Sequence, residues 1–296
     1  MIRTITFFGN DYFSLPSLQK LSQKYATTLI TIPNSPPSKH ASKNNIKTIF
    51  PPPSLSNFNP PESDLAVIVS FGMYLPQNLI SVFKYGAINL HPSLLPRYKG
   101  AAPIQHQILK NDLHSGVSII NVSEKFDSGD ILNQKNVLLN PNPDFSATRD
   151  LLGGIGADLL LETVSNFEHL KKMKQEQIGK STFARKIPKE MSMINWDSNA
   201  IDIHRVYRAV SDGNPMFTWF RGKRVQLFEL DVYKCDFEAG VGEILHSRGD
   251  GFLLIKCGVG VLSCKYLKVQ DKKMVKANDF VNGYDIKRGD VFNSLL

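Results

Sequence analysis

Residues 87–97 read AINLHPSLLPR, an apolar strand that runs into a polar pair and then into a loop braced by two prolines. Side chains two positions apart along a strand point to the same face, so Asn89 and His91 are expected side by side. An amide can donate a hydrogen bond to a developing oxyanion, and an imidazole can exchange protons near neutral pH. The prolines restrain the loop, so that its backbone amides and Arg97 can hold a ligand. We interpret the stretch as part of an active site.

Around this stretch, strand and helix patterns alternate from the start of the chain to about residue 170. This alternation predicts an α/β fold with a doubly wound, parallel-rich sheet. The predicted strands span residues 2–8, 27–32, 65–70, 87–91, 117–122 and 131–139, and the predicted helices span residues 15–25, 102–110 and 148–166. Ligands of such sheets bind beyond the carboxyl ends of the strands, where Asn89 and His91 fall. The turn after the first strand lacks a G-x-G-x-x-G fingerprint, so no dinucleotide is implied.

A carboxylate partner for His91 is expected in the polar turn KFDSGD at residues 125–130. The strands predicted on either side of this turn can place it at the same end of the sheet as His91. Two acids compete, Asp127 and Asp130. The alternative is that both merely build a turn with Gly129, which the residues alone favour.

The pattern changes after residue 170. A Lys-rich connector at residues 171–190 separates a first domain, residues 1–170, from a second domain, residues 191–296. The second domain is predicted to hold a helix at 200–209 and short strands at 225–232, 241–245, 251–256 and 258–269. Short strands punctuated by glycine favour a small β-barrel. Residues 33–45 and 50–61 are predicted to be irregular surface loops.

Length and composition agree with a globular chain of two domains. The chain has 296 residues, of which 42% are hydrophobic and 21% charged, and chains of this length usually divide into domains. No apolar run approaches the roughly 18 to 20 residues of a membrane span. The three cysteines lack metal-ligand or C-x-x-C spacing, so we expect reduced packing residues and no metal site. The first strand begins almost at once, and no recognisable targeting segment is expected.

The positive charge is concentrated in the second part of the chain. Residues 1–170 contain 13 Lys and Arg against 12 Asp and Glu, whereas residues 171–296 contain 22 against 15. A basic domain attached to a nearly neutral one suggests a polyanionic partner, because neutralised phosphates release counterions. A solubilising surface is the alternative.

Several motifs, in order along the chain, carry a family resemblance. Residues 88–105, INLHPSLLPRYKGAAPIQ, are joined by ITFFGND, VSFGMYLPQNLI, FDSGDIL, TFARKI and INWD. Together they resemble the methionyl-tRNA formyltransferase family and, more loosely, all 10-formyltetrahydrofolate-dependent formyltransferases. The Asn-x-His pair with SLLPR is typical of the wider superfamily, and GAAPIQ, TFARKI and INWD are typical of the tRNA branch. The resemblance covers essentially the whole chain.

This resemblance implies a formyltransferase fold, an OB-like second domain and a catalytic set of Asn89, His91 and Asp127. The family's aspartate opens the Asp-x-Gly turn, which leaves Asp130 outside the set. Asn89 and protonated His91 would stabilise an oxyanion while Asp127 orients the imidazole and relays the proton of the attacking amine. The co-substrate implied is 10-formyltetrahydrofolate. The residues implied to bind it are Ser93, Leu94, Leu95, Pro96, Arg97, Phe71, Gly72 and Phe126.

The implied partner is initiator methionyl-tRNA, and a monomer is expected. In the family a basic loop near residues 33–45 approaches the acceptor end of the tRNA, although here it is short and has few cations. The cations expected to contact tRNA are Lys39, Lys43, Lys47, Arg185, Lys186, Lys189, Arg208, Arg221, Lys223 and Arg224. For each cation singly, a solvated surface role is the alternative. The bias towards Lys, Asn and Ser resembles fungal mitochondrial members, so the mitochondrial matrix is the expected location and the bacterial cytoplasm the alternative.

Three other functions share parts of this pattern. A glycinamide ribonucleotide formyltransferase would share the Asn, His and Asp set but needs no basic second domain. A formyltetrahydrofolate hydrolase or a sugar-nucleotide formyltransferase could carry both domains. A catalytically dead RNA-binding relative is the remaining alternative, and the presence of all three catalytic residues argues against it.

Overall fold

Strands rich in β-branched and aromatic residues build the first sheet in the computed structural model, which describes residues 1–245, 251–287 and 289–294. The strands are β1 Thr4–Gly9, β2 Ala26–Ile30, β3 Thr48–Ile49, β4 Leu65–Val69, β5 Ala87–His91, β6 His114–Asn121 and β7 Ile131–Leu138. The accompanying helices are α1 Leu15–Lys24, α2 Pro36–Lys43, α3 Gln77–Ile80, α4 Pro103–Leu109, α5 Phe145–Ser165 and α6 Phe167–Lys172. A short 3₁₀ helix, Tyr12–Ser14, precedes α1.

The seven strands lie in the order β3-β2-β1-β4-β5-β6-β7. The first five are parallel, whereas β6 and β7 are antiparallel to their neighbours. The predicted parallel-rich α/β fold is therefore confirmed. In the register of β5 with β6, His91 lies opposite Ser118 and Ile88 lies opposite Asn121, so β6 ends beside the amino end of β5.

The core lies on both faces of the central strands. Strand β4, with the sequence LAVIV, has four of its five residues buried, and Phe7 and Phe8 of β1 are fully buried. Each large side chain removed from water contributes about 1.5 to 3 kcal/mol. Apolar residues occupy both faces of these central strands. In β5 the two polar residues, Asn89 and His91, are the third and the last of its five residues.

Residues 33–45 are not the irregular loop expected, since helix α2 occupies Pro36–Lys43. The Ser35 side chain caps this helix by accepting a hydrogen bond from the Ser38 amide at 3.1 Å. The two prolines occupy the first helical positions, where a missing N–H costs nothing and a fixed φ favours the helix. The prediction for residues 50–61 is confirmed, because no helix or strand forms there.

The second unit is built on an antiparallel sheet ordered β10-β11-β12-β9-β8, with β13 paired to β12. Its elements are α7 Ala200–Val210, β8 Phe217–Phe220, β9 Lys223–Tyr233, β10 Ile244–Leu245, β11 Leu253–Lys256, β12 Val261–Val269, β13 Val275–Lys276 and α8 Ala277–Gly283, after a 3₁₀ helix at Lys189–Ser192. Asn293 pairs with Trp219 and Val291 pairs with Glu243. Residues 291–293 therefore bond to both edges of a curled sheet, in agreement with the expected barrel-like domain.

The chain divides into two compact units. The first comprises Met1–Gln107, Asp112–Pro141 and Ser146–Lys186, and the second comprises Ile108–Asn111, Asn142–Phe145 and Ile187–Leu296. Most of the expected connector, residues 171–190, therefore contributes to the first unit. Residues 246–250, 288 and 295–296 of the expected second domain lie outside the described residues.

The cysteines are all free, but they differ in environment. Cys257 and Cys264 are buried, as expected for packing residues, whereas Cys235 is exposed. Burial raises the pKa of each buried thiol to about 12. Among the described helices, none combines the length and apolar character needed to cross a lipid bilayer.

Candidate active site

His91 ends strand β5 with its side chain almost fully buried. Its Nε2 lies 2.9 Å from the backbone carbonyl oxygen of Tyr98. A carbonyl oxygen can only accept, so Nε2 carries a hydrogen and donates it. Nδ1 is then the ring nitrogen that gains and loses a proton. The Tyr98 carbonyl thus selects one tautomer of the imidazole, as the partner of a functional histidine usually does.

Asp127 faces the other side of the same ring. Its Oδ1 lies 3.7 Å from His91 Nδ1, with the two side chains 13% and 6% exposed. Asp130, the competing acid, instead pairs with Lys174, with Oδ2 2.6 Å from Nζ. The hydrogen bond from Lys174 and its charge attraction to Asp130 raise the pKa of that lysine. The structure therefore brings Asp127 to the imidazole and commits Asp130 to a separate ion pair.

The turn that carries Asp127 starts at the amino end of β5, because β6 is antiparallel to β5. Expecting it at the same sheet end as His91 was wrong, and the chain must return along the sheet for the carboxylate to reach the imidazole. Gly129 permits this return, since a Cβ there would lie 1.8 Å from the carbonyl oxygen of Asn121. Only glycine fits so close an approach.

Two contacts hold the turn in place. The Gly100 amide donates to Asp127 Oδ2 at 2.7 Å, which leaves Oδ1 directed at the imidazole. The side-chain amide of Gln177 donates to the carbonyl oxygens of Asp127 and Gly129, each at 2.8 Å. Asp127 itself has φ of +50°, in the left-handed region that side chains rarely adopt. Such conformations persist only where the surroundings enforce them, and they concentrate at functional sites.

Asn89 is half-buried, and its side-chain amide makes no hydrogen bond within the described residues. It lies on the same face of β5 as His91, as the strand alternation predicts. An amide NH₂ on that face can therefore donate to a substrate oxygen without first breaking a protein contact.

The loop at residues 92–97 is held by a buried polar network. Ser118 of β6 is fully buried; its hydroxyl donates to the Ser93 carbonyl oxygen at 2.6 Å and accepts from the Leu95 amide at 3.1 Å. The side-chain amide of Gln134 donates to the Ser118 hydroxyl at 2.8 Å and to the Leu95 carbonyl at 3.1 Å. Because these backbone groups are satisfied by side chains of β6 and β7, the sheet itself sets the conformation of the loop.

The residues expected to bind folate have different environments. Ser93 donates its hydroxyl to the Arg97 carbonyl at 2.6 Å, and the Arg97 guanidinium is paired with Asp112 at 2.7 Å. Leu95 is buried, while Leu94 and Pro96 are half-buried. Hydrogen bonds of Ser93 and Arg97 and the burial of Leu95 thus fix the conformation of this loop.

The other expected folate residues lie around strand β4 and the Asp127 turn. Phe71 is buried in the core, with its ring 5.2 Å from that of Phe8. Gly72 has φ of +75° and open space where a side chain would be. Phe126 is exposed and lies 5.7 Å, ring to ring, from the exposed Tyr74. An exposed aromatic pair next to Asp127 suits a flat heterocycle.

Several site residues were missed by sequence reasoning. The Tyr98 carbonyl and the Gly100 amide are backbone groups of a kind that nearly every residue carries. The Ser118 hydroxyl belongs to a common residue type, so no sequence pattern marks any of the three as functional. Gln177 lies in the expected connector, where nothing local indicates a role. Lys99, whose Nζ donates to the Ser128 hydroxyl at 3.0 Å, had a local signal, since it falls between the two predicted site segments in a run already judged functional.

The expected tRNA-contacting cations separate into two groups. Seven are exposed and make no ion pair within the described residues: Lys39, Lys43, Lys47, Arg185, Lys186, Lys189 and Lys223. Arg208 is only 6% exposed and donates to the Pro143 carbonyl at 2.8 Å. Arg221 pairs with Asp290 at 3.0 Å, and the Arg224 guanidinium lies 3.8 Å from the centre of the Phe217 ring. The last three cations are therefore engaged by the protein.

No cluster of three or more His, Cys, Asp or Glu side chains suited to a metal ion occurs in the described part of the chain. The site consists instead of an amide, an imidazole and a carboxylate around the end of β5.

Comparisons with known proteins identify the family of the chain. The family described as Formyl transferase matches residues 22–164, and the Formyl transferase C-terminal domain matches residues 186–285. The methionyl-tRNA formyltransferase of Caldicellulosiruptor saccharolyticus is 33% identical over 98% of this chain and 99% of its own length. That of Coxiella burnetii is 33% identical over 96% of each chain.

Solved structures show the same fold. HypX from Aquifex aeolicus in complex with tetrahydrofolic acid superposes with a TM-score of 0.69 at 15% identity, over 99% of this chain and 50% of that one. This chain therefore spans about half the length of HypX. An N-formyltransferase from Helicobacter canadensis superposes with a TM-score of 0.64 at 18% identity, over 89% and 99% of the two chains. With full-length relatives at 33% identity, the chain belongs to the methionyl-tRNA formyltransferase family.

Proposed function

We propose that this protein transfers the formyl group of 10-formyltetrahydrofolate to the α-amino group of initiator methionyl-tRNA. The observation that carries the proposal is the His91 imidazole held between the Tyr98 carbonyl and Asp127, with the Asn89 amide on the same strand face. Attack of an amine on a formyl carbon requires a donor to the formyl oxygen and a group that accepts the proton of the amine. These residues supply both. Formation of the new N–C bond places negative charge on the formyl oxygen and positive charge on the attacking nitrogen. Collapse of this tetrahedral centre re-forms the carbonyl and breaks the bond from carbon to the folate nitrogen.

Asn89 stabilises the negative charge on the formyl oxygen. Its side-chain NH₂ donates to the formyl oxygen as charge develops there, and its position on a rigid strand means that little reorganisation is needed. Loss of one such preorganised donor typically lowers the rate by about 10²- to 10³-fold. His91 keeps Nε2–H on the Tyr98 carbonyl, so Nδ1, the ring nitrogen that faces Asp127, is the one open to the substrate, and the Asn89 NH₂ is the donor to the formyl oxygen.

Asp127 and His91 handle the proton. Asp127 Oδ1 faces His91 Nδ1 at 3.7 Å, while the Gly100 amide holds Oδ2. The attacking amine loses its surplus proton to this pair, and the leaving nitrogen of the folate takes up a proton as its bond to carbon breaks. General acid-base catalysis of this kind contributes about 10²- to 10⁴-fold.

The folate supplies the formyl carbon, and the residues around the site fit it. The exposed Tyr74–Phe126 pair suits a flat pterin, and the open space at Gly72 admits a group close to the backbone. The loop at residues 93–97 is fixed by the Ser118 network and offers a preformed wall. Phe71 lies in the core against Phe8, and Arg97 shapes the loop through its ion pair with Asp112.

In this proposal the seven exposed cations named above bind tRNA phosphates; Lys189 and Lys223 belong to the second unit and the other five to the first. Exposed cations without acidic partners bind phosphates and release counterions. Arg208, Arg221 and Arg224 are not supported as phosphate contacts, because each is held by a protein group. The surplus of basic residues after position 170 supports the same partner.

We further propose a fungal mitochondrial origin, a location in the mitochondrial matrix and a monomeric state. The first two rest on the Lys, Asn and Ser bias and on the segments VSFGMYLPQNLI and FDSGDIL. Organelle fractionation tests the location, and recovery only from the cytosol would contradict it. Sedimentation at micromolar concentration tests the state, for which 33.2 kDa is the expected mass.

The test of function is a formylation assay with 10-formyltetrahydrofolate and charged tRNA. We expect formyl transfer to initiator methionyl-tRNA, with less to elongator methionyl-tRNA and to uncharged tRNA. Glycinamide ribonucleotide, an amino-sugar nucleotide and water serve as competing acceptors. Faster transfer to any of these three would assign the protein to another branch of the family, and no transfer to any acceptor would indicate a catalytically dead relative.

A further inference from the structure

Residues 180–186, here called the strap, run alongside the loop that follows the folate wall. The Thr182 carbonyl accepts from the Lys99 amide at 2.9 Å, and the Ala184 amide donates to the Lys99 carbonyl at 2.7 Å. The Ala102 amide donates to the Ala184 carbonyl at 3.1 Å, and the Thr182 hydroxyl accepts from the Tyr98 amide at 2.9 Å. The strap is therefore fixed to this loop by a regular set of backbone bonds rather than lying loosely on the surface.

The same loop also contacts the carboxylate of Asp127. Gly100, whose amide donates to Asp127, lies so close to the strap that a Cβ there would meet the Ala184 carbonyl oxygen at 2.6 Å. One residue, Gly100, thus contacts both the strap and Asp127. The strap is therefore linked through this one residue to the carboxylate that faces His91.

Phe183 is the large apolar side chain of the strap, and it is 70% exposed. Its backbone is bridged to Lys99, and within the described residues no other aromatic ring contacts it. Keeping a large aromatic ring in water costs free energy. Single exposed apolar side chains are common on protein surfaces, so the residues around this ring must indicate whether it binds a partner.

Charge indicates which partner. Residues 180–189 contain four cations and no acidic residue. Arg185 and Lys186 lie two and three residues after Phe183 and are exposed. An aromatic ring among cations matches single-stranded nucleic acid, because bases stack on the ring while the cations neutralise phosphates.

We propose that Phe183 stacks on the terminal nucleobase of the tRNA acceptor end and so positions the aminoacyl group. This inference rests on the proposed function. The carboxyl group of the methionine is esterified to the terminal ribose, so when the α-amine is at His91 the terminal base lies one aminoacyl ester and one ribose away. The strap is bonded to the loop that carries Gly100, which places Phe183 in that neighbourhood. Phe183 is a positioning residue, since it touches a part of the substrate that does not react.

The test compares Phe183→Ala, Phe183→Leu and Phe183→Trp in the full-length protein. Loss of one stacking contact is expected to raise the KM for methionyl-tRNA about tenfold. The KM for folate should stay within about twofold. Phe183→Trp should retain or improve tRNA binding, while Phe183→Leu, which keeps an apolar side chain without a stacking face, should behave like Phe183→Ala. Leu138→Ala, which removes a 68% exposed apolar side chain from β7, is the matched control and should leave all constants unchanged.

A second measurement uses methionyl-tRNA that lacks only the terminal base. The wild type should lose about as much with this substrate as Phe183→Ala loses with intact tRNA, and the variant should lose nothing further. If Phe183→Leu equals the wild type, or the two losses add, the inference is wrong although the proposed function stands. If the wild type does not formylate methionyl-tRNA at all, the proposed function itself fails.

Discussion

Asp127 Oδ1 lies 3.7 Å from His91 Nδ1, whereas Asp130, three residues further along the same turn, is bound to Lys174. The two acids of this turn therefore face different partners. The Asp127 carboxylate is divided between the imidazole and the Gly100 amide. The Gly100 amide orients the carboxylate through Oδ2, and Oδ1 is the oxygen that places negative charge next to the imidazole.

Asp127→Asn should lower kcat by at least about 10²-fold and leave the KM for methionyl-tRNA nearly unchanged. The amide side chain keeps an oxygen for the Gly100 amide, so the turn is retained while the charge facing Nδ1 is lost. Steady-state kinetics with both substrates saturating measures the effect. Asp130→Asn is the control and should be within a few-fold of the wild type. Equal losses for the two variants would contradict the assignment.

Asn89→Ala should lower kcat by about 10²- to 10³-fold. Because the side-chain amide makes no hydrogen bond within the described residues, thermal stability should change little. Single-turnover formylation and a melting curve on the same preparation separate the two effects. A large drop in melting temperature together with normal turnover would show that this amide is structural.

Ser118→Ala removes the hydroxyl that serves the Ser93 carbonyl and the Leu95 amide. These groups are buried, and leaving them unsatisfied should destabilise the protein by about 1 to 3 kcal/mol. The folate KM should rise more than kcat falls, because the hydroxyl shapes the folate wall without touching the reacting atoms. Urea denaturation and folate titration provide the two readouts. Ser118→Thr keeps the hydroxyl and should recover most of the loss, and failure to do so would point to packing rather than hydrogen bonding.

Arg208→Ala should affect stability and not the salt dependence of tRNA binding. Its guanidinium is buried and holds the Pro143 carbonyl, and burial lowers the pKa of this group. Loss of this hydrogen bond to a charged group should cost about 1.5 to 3 kcal/mol. Arg185→Ala should instead reduce the slope of log affinity against log salt by about 1 without destabilising the fold. The reverse pattern would return Arg208 to the tRNA surface.

Asp64 should contribute a pH-dependent part of the stability. Hydrogen bonds from the Arg3 and Thr4 amides, at 2.7 and 3.0 Å, hold the pKa of this carboxyl below its ordinary value. A depressed folded-state pKa stabilises the protein above the unfolded pKa of about 3.9, and this contribution disappears as pH falls through the folded value. The stability difference between wild type and Asp64→Asn should therefore be constant near pH 7 and shrink below about pH 4. A difference independent of pH would show that charge is not involved.

Much of the fold follows from short-range pattern. Strand β5 begins and ends at the residues predicted, and the helices predicted at 15–25, 102–110, 148–166 and 200–209 all form, with ends shifted by three residues or fewer. Helix α2 was missed because its N-terminal signal, a capping serine and two prolines, was interpreted as a loop. Ser38 and Ala41 of this helix are both buried. Tertiary packing of this kind stabilises a short helix beyond what its sequence indicates.

The sequence by itself determined the α/β class, the basic second half and the chemical types at the site, because periodicity, charge and side-chain chemistry are properties of residues close together in the chain. The local residues left Asp127 and Asp130 as alternatives, which the family resemblance resolved in favour of Asp127. Only the tertiary structure established the contact of Asp127 with His91 and the burial of Arg208. The Asp127 contact depends on an antiparallel register and on a hydrogen bond between residues 27 positions apart. Such contacts arise from packing of the whole unit, so no local pattern encodes them.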